Sequence, residues 1–328
     1  MTTAPVGHEV SHAGPATGPR TVAPTGPPGK AGGLLRTVHT WGEMIKFSHS
    51  VFALPFALLA TFLAARPTLP SVTQLGLVVL CMVAARSAAM TFNRLVDARL
   101  DAQNPRTARR ALPTGLIRPA AAWSFFAAAC GLFVLSCAGF QWLLGNPWPL
   151  RLSLPTLLFL CFYSYTKRFT RWSHVLLGAG IAFAPVAAWI AISPATLGAP
   201  AWLLMLAVMF WIAGFDLIYA CQDVDFDRRA GLYSVPAAMG VAAALWLARA
   251  FHLLTVVALV LVGRTAGLGP FYYTGVACVA LLLTVENALV RPNDLSRVKL
   301  AFFTVNGVVG LVLGGLGVLD VCLDVLKS

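Results

Sequence analysis

The sequence predicts an all-α, polytopic membrane protein of about nine transmembrane helices. Three observations carry that prediction. Of 328 residues, 58% are hydrophobic and only 11% charged, less than half the charge of an ordinary soluble domain. Nine apolar stretches of spanning length succeed one another from about residue 47 to residue 322, each able to cross the hydrocarbon core as a helix. Lys and Arg gather in alternate loops, the pattern of the positive-inside rule.

Taken in order, residues 1–33 are rich in Pro, Gly, Ala and Thr without an apolar run, the composition of a disordered tail. No signal peptide is expected, because the apolar core of a signal would lie near the start. Residues 34–328 form one transmembrane domain. Leu34, Val38, Trp41 and Ile45 recur at helical spacing, predicting a short amphipathic helix on the membrane surface. The spans are placed at 47–65, 73–97, 119–141, 152–166, 174–193, 200–221, 236–262, 270–290 and 298–322.

One set of loops carries Lys46, six arginines between residues 94 and 118, Lys167, Arg168, Arg171, Arg228, Arg229, Arg291, Arg297 and Lys299. The opposite set has Arg66, Arg151, Arg264 and Lys327. This asymmetry predicts a cytoplasmic N-terminus, and it accounts for the net charge of +12 without a nucleic-acid partner. A bacterial inner membrane is the expected location. Seven cysteines are scattered through apolar spans without metal-ligand spacing and read as small core residues. No cytosolic domain suggests a protein partner.

Half of the twelve acidic residues fall in two short stretches. In RSAAMTFNRLVDARLDAQNPRTARR, Asn93, Asp97 and Asp101 stand at i, i+4 and i+8, one face of a helix. In FDLIYACQDVDFDRRAG, Asp216, Asp223 and Asp227 stand at i, i+7 and i+11, again one face. Asp225 is off that face. Like charges at i and i+4 repel, and charge near the bilayer is costly. Two such stripes at the cytoplasmic ends of spans, each followed by arginines, read as the walls of a Mg²⁺ site. That ion takes hard oxygen ligands and is commonly shared between one or two carboxylates and substrate phosphates. Arg86, seven residues before Asn93, is expected to contact substrate or the acidic site, or to pair with another helix. Glu286 is expected to make a helix-end or interhelical polar contact.

The chain resembles the UbiA superfamily of intramembrane prenyltransferases. Asn93, Asp97 and Asp101 match its NxxxDxxxD motif, and Asp223 with Asp227 matches its second DxxxD motif. Arg106, Thr107, Arg110, Leu112, Pro113 and Gly115 resemble the RTxxRxLPxG run, and Tyr163 with Lys167 the YxxxK element. The segments CQDVDFDRRAGLYSVPAAMG and AFFTVNG are most similar to quinone-pathway members acting on 4-hydroxybenzoate, or in the futalosine route to menaquinone. One departure stands out: many 4-hydroxybenzoate enzymes have a basic residue two positions after the glycine, where this chain has Tyr233.

The resemblance implies helices around a central cavity capped by Asp-rich cytoplasmic loops. It also implies Mg²⁺-dependent transfer of a polyprenyl group from an isoprenyl diphosphate to an aromatic acceptor. Asn93, Asp97, Asp101, Asp223 and Asp227 would hold the metal. Arg106, Arg110, Lys167 and Arg228 would bind diphosphate, with Tyr163 beside them and Lys46 a candidate for an acceptor carboxylate. Asp216 is the candidate base. Phe47, Phe52, Phe56 and Tyr219 are expected to pack within spans. Arg94, Arg99, Arg109, Arg171 and Arg229 are expected to face lipid headgroups, and His49 and His174 are not expected to be ligands. Rival readings are a non-quinone acceptor such as haem, chlorophyllide or a glycerol phosphate, and a transporter.

Overall fold

The computed structural model describes residues 1–2, 30–45 and 50–327. Most of the expected N-terminal tail, together with Lys46, Phe47 and His49, lies outside them. The chain divides into Met1–Val38 and His39–Ser328. The first unit holds the beginning of α1 (Lys30–Ile45); all other elements belong to the second.

The second unit is helical throughout; the sole strand-like feature among the described residues is an isolated bridge between Arg291 and Asp294. Its helices are α2 (Ser50–Ala65), α3 (Val72–Val96), α4 (Ala98–Gln103), α5 (Pro119–Leu144), α6 (Trp148–Phe162), α7 (Ser173–Ile192), α8 (Ala199–Ala220), α9 (Val224–Ala230), α10 (Val235–Met239), α11 (Val241–Thr265), α12 (Pro270–Leu289), α13 (Val298–Leu300) and α14 (Asn306–Val325). Among the described residues, seven helices are long and apolar enough to span a membrane, counting α8 with α9 and α13 with α14 as single spans. The expected fourth span forms a shorter helix: α6 has 15 residues, which at 1.5 Å per residue reach roughly 22 Å, short of the hydrocarbon thickness. The described part of the expected first span is α2, 16 residues from Ser50. The expected span 236–262 is also divided. Gly240, with φ 87°, separates α10 from α11, a backbone turn that favours glycine.

Packing is close because glycine and alanine line the helix contacts. α8 lies between α7 and α11, and α14 lies against α2 and α12. A Cβ on Gly178 of α7 would come 2.5 Å from the Met209 carbonyl oxygen of α8, and one on Gly314 of α14 would run into Pro55 of α2. A carboxylate anchors one turn: Asp320 of α14 accepts from the N–H groups of Gly269 (2.6 Å) and Phe271 (3.1 Å) at the start of α12, the charge-assisted equivalent of an N-cap. The Trp41–Ile45 end of α1 differs from a helix lying free on a surface. Trp41 stacks on Phe125 at 4.8 Å, and Met44 is buried with Ile117 and Ala122. The linker before α5 supplies apolar side chains that cover it.

Candidate active site

Both acidic stripes line one polar cavity of about 210 Å³. Each does so from an interrupted helix. Asp97 caps α3 at φ −92° and ψ 4°, and α4 starts again at Ala98. The ladder continues through the break, with Asp97 N donating to Asn93 O (3.0 Å) and Asp101 N to Asp97 O (2.7 Å). In the second stripe, a 3₁₀ turn over Cys221–Asp223 joins α8 to α9. The i+4 spacing thus survives where a continuous helix does not, and the tighter turn brings Asp223 and Asp227 round to the cavity that Asp216 faces.

Of the expected site residues, Asn93, Asp97, Asp101, Arg106, Arg110, Tyr163, Lys167, Asp216, Asp223 and Asp227 all line this cavity. Arg228 does not. It is exposed, and its Nε donates to the Ala237 carbonyl (3.0 Å); one position beyond Asp227 is about 100° around a helix, which turns it away. Lys46 is outside the described residues.

The carboxylates are tied to basic partners. Arg106 grips Asp223 in a two-pronged contact, Nε to Oδ1 at 2.8 Å and Nη2 to Oδ2 at 2.5 Å, the fork geometry favoured by arginine. Asn104 adds a third bond to Asp223 at 3.1 Å and accepts from the Arg106 N–H at 2.9 Å. Arg110 bonds both oxygens of Asp101 at 2.6 and 2.8 Å. Arg168 reaches Asp97 at 3.2 Å, and Asn93 donates to the same carboxylate at 3.1 Å. Ser234 donates to Asp227 at 2.8 Å, and His174 Nδ1 lies 2.7 Å from Asp216. Tyr233 presents an exposed ring while its N–H donates to the Lys167 carbonyl at 2.7 Å. That bond ties the second acidic segment to the turn holding Lys167.

Burial works against the charge of Arg106, but its bonds to Asp223 outweigh it and hold the guanidinium above its ordinary range. Burial likewise opposes the charge of Lys167, and the surrounding carboxylates, Asp227 foremost, hold its ammonium above the ordinary value. Asp97 shows the opposite balance. Burial and then the charge of Asp101 raise its carboxyl, and Arg168 does not fully compensate. Among the described residues no three of His, Cys, Asp and Glu stand close enough to hold a metal alone. The donor set nonetheless fits a hard divalent cation. It consists of carboxylate and carboxamide oxygens on two facing walls, the kind of hard oxygen donors such an ion takes.

Arg94, 8% exposed, faces the cavity rather than lipid headgroups. Asn104 and Arg168 line it too, and each holds a motif carboxylate. His174, buried behind the lining, is a polar residue paired with Asp216. Tyr219 lies under Arg106, whose Cζ is 5.0 Å from the ring centroid and whose Nη1 donates to the hydroxyl at 2.8 Å. The adjacency of Arg168 to Lys167 was the available signal; Asn104 had none beyond its place before Pro105.

A second, apolar cavity of about 170 Å³ lies between α3, α5, α6 and α7. Tyr163 and Leu177 line both cavities, so the two meet there. Arg86 points into the apolar one, and its buried Nε has no hydrogen-bond partner.

The UbiA prenyltransferase family model matches residues 53–308. The chain belongs to the UbiA prenyltransferase family. It is an integral membrane prenyltransferase. It is 32% identical over 237 residues to a 4-hydroxybenzoate octaprenyltransferase of Marinobacter nauticus, covering 72% of this chain and 79% of the relative. The enzyme of the same name from Aeromonas hydrophila is 32% identical over 248 residues, covering 75% and 84%. The apo structure of a UbiA homologue from Aeropyrum pernix superposes with a TM-score of 0.74 at 31% identity, covering 83% of this chain and 98% of that one. A UbiA homologue from Archaeoglobus fulgidus, solved with DMAPP and Mg²⁺, shares the fold with a TM-score of 0.66 at 20% identity, covering 86% and 99%.

Proposed function

We propose that this UbiA-family enzyme transfers a polyprenyl group from an isoprenyl diphosphate to a carboxylated phenolic acceptor of quinone biosynthesis, 4-hydroxybenzoate or a dihydroxynaphthoate. The observation that carries the reading is the junction at Tyr163 and Leu177 between a polar cavity rich in acidic and basic groups and an apolar one. A ligand with a charged head and a long hydrocarbon chain matches that division. The two curated relatives act on 4-hydroxybenzoate by name, and the archaeal homologue was solved with a prenyl diphosphate and Mg²⁺; both support the same chemistry here. The positive-inside bias supports a cytoplasmic N-terminus and a polar mouth facing the cytoplasm of a bacterial inner membrane.

Asn93, Asp97, Asp101, Asp223 and Asp227 would hold Mg²⁺, which as a Lewis acid would supply charge neutralisation to the departing diphosphate. Lys167 and Arg94 face the cavity without an ion pair to any described residue, so both are available to phosphate oxygens, with Arg106 and Arg110 at its rim. The allylic C–O bond breaks with its electron pair leaving on the diphosphate, and a ring carbon of the acceptor attacks the resulting carbocation. The ring proton passes to Asp216, which His174 orients at 2.7 Å. The apolar walls beyond Tyr163 keep water from the cation. The unpartnered Nε of Arg86 suits the acceptor carboxylate, since a buried cation with an open donor recovers a charge-assisted hydrogen bond only when an anion arrives.

The test is prenyl transfer by the purified chain in nanodiscs with a long-chain isoprenyl diphosphate, with and without Mg²⁺. 4-Hydroxybenzoate and 1,4-dihydroxy-6-naphthoate are offered side by side. Mg²⁺-dependent prenylation of one of them is expected. Turnover of neither by folded, diphosphate-binding protein would overturn the quinone acceptor and leave the non-quinone acceptors to be tried.

A further inference from the structure

The AFFTVNG segment contributes nothing to the lining of either cavity, yet it is built around a local departure from the α-helix. Between α13 and α14, residues Ala301–Val305 form a π-turn, an insertion of one residue that ordinary helices avoid and functional regions often keep. Asn306 holds it in place. Its Nδ2 reaches back to the carbonyls of Ala301 and Phe302, both at 3.2 Å, which are the acceptors in the two registers between which the helix shifts. The same amide is fixed from two other helices. Nδ2 also donates to Glu286 Oε1 of α12 at 2.8 Å, and Trp211 Nε1 of α8 donates to Asn306 Oδ1 at 2.6 Å. Both Asn306 and Glu286 are fully buried. Such a polar cluster inside an apolar bundle costs desolvation, and packing alone does not call for it.

The consequence of the turn is the placement of Phe302. Its ring stacks on Tyr219 at 4.3 Å between centroids, and Tyr219 accepts the 2.8 Å hydrogen bond from Arg106, which grips Asp223. Removing the inserted residue would rotate Phe302 relative to α14 by about 100° and take it off Tyr219. We propose that Asn306 is a positioning residue for diphosphate binding: it holds the π-turn that seats Phe302 on Tyr219, and Tyr219 in turn fixes Arg106 at the rim of the polar cavity. The inference rests on the prenyl-transfer reading above and adds to it a remote determinant of the phosphate site.

The experiment measures kcat and KM separately for geranylgeranyl diphosphate with Mg²⁺ and for 4-hydroxybenzoate or the naphthoate, whichever the parent chain uses. The variants are Asn306→Ala, Phe302→Leu, the double variant and Leu311→Ala, whose side chain is exposed on α14. Both single substitutions are expected to raise the diphosphate KM about tenfold, the loss of one charge-assisted contact, while acceptor KM stays within about twofold. The double variant should be no worse than the worse single one, because both act through one contact, and Leu311→Ala should match the parent. If Asn306→Ala does not yield folded protein, Phe302→Leu decides alone. Unchanged diphosphate KM in a folded variant, equal losses toward both substrates, or additive losses would overturn the inference while parental turnover leaves the proposed reaction standing. A folded parent chain without Mg²⁺-dependent turnover on any acceptor would remove the reading beneath it.

Discussion

Asp223 and Asp225 differ by two positions and by nearly everything around them. Asp223 is buried against Arg106 and Asn104, whereas Asp225 is exposed and outside the cavity. Asp223→Asn is therefore expected to lower kcat/KM by about 10² to 10³, the usual effect of removing one preorganised electrostatic contact. Asp225→Asn should stay within about twofold, as surface changes do. Steady-state assays of the two side by side check this, and equal losses would discard the facing argument. Arg86→Ala should raise KM for a carboxylated acceptor by about 10- to 100-fold through one lost charged hydrogen bond. With a phenol lacking the carboxylate, parent and variant should differ little. The motif aspartates were legible because carboxylates at i and i+4 have no stabilising reason to exist in an apolar span. Arg94 was not legible: an arginine near a span end serves topology as readily as a cavity, and only its 8% exposure separates the two.

Helices were legible wherever apolar length alone defined them, and their interruptions were not. Pro236 and Gly240 do not by themselves mark the break, since α7 carries Gly178, Gly180 and Pro185 without one, and the spacing of Asn93, Asp97 and Asp101 is the same with or without the kink at Asp97. Close approach between helices was equally hidden, since a glycine in a span has no pattern that says which neighbour touches it. Gly178→Ala should destabilise the fold by about 1–3 kcal/mol, because the added carbon meets backbone that cannot yield. Gly131→Ala, with open space at its Cβ, should cost nothing or gain slightly from helix propensity. Thermal unfolding in detergent distinguishes them, and equal melting points would refute the packing argument.

For the molecule as a whole, the sequence foretold the meeting of two stripes more than a hundred residues apart. The family resemblance implied a cavity, but which side chains wall the apolar one was not legible, because they come from several helices whose relative rotation no periodicity encodes. That cavity runs from Leu177 to Ala191 along α7, 14 positions or roughly 21 Å of helix. Ala191→Phe should close its far end and shift product toward shorter prenyl chains, read by mass spectrometry when donors of several lengths compete; an unchanged distribution would place the chain elsewhere. The walls include Leu160 and the partly exposed Phe183, side chains at home among lipid tails, so on the proposed reading a donor would enter from the bilayer rather than from water. Substrate is then counted per lipid and not per litre. At a fixed amount of long-chain diphosphate below saturation, doubling the vesicle lipid should about halve the rate by dilution within the membrane plane, and a bulk-phase KM for this enzyme has meaning only beside the lipid content of the assay.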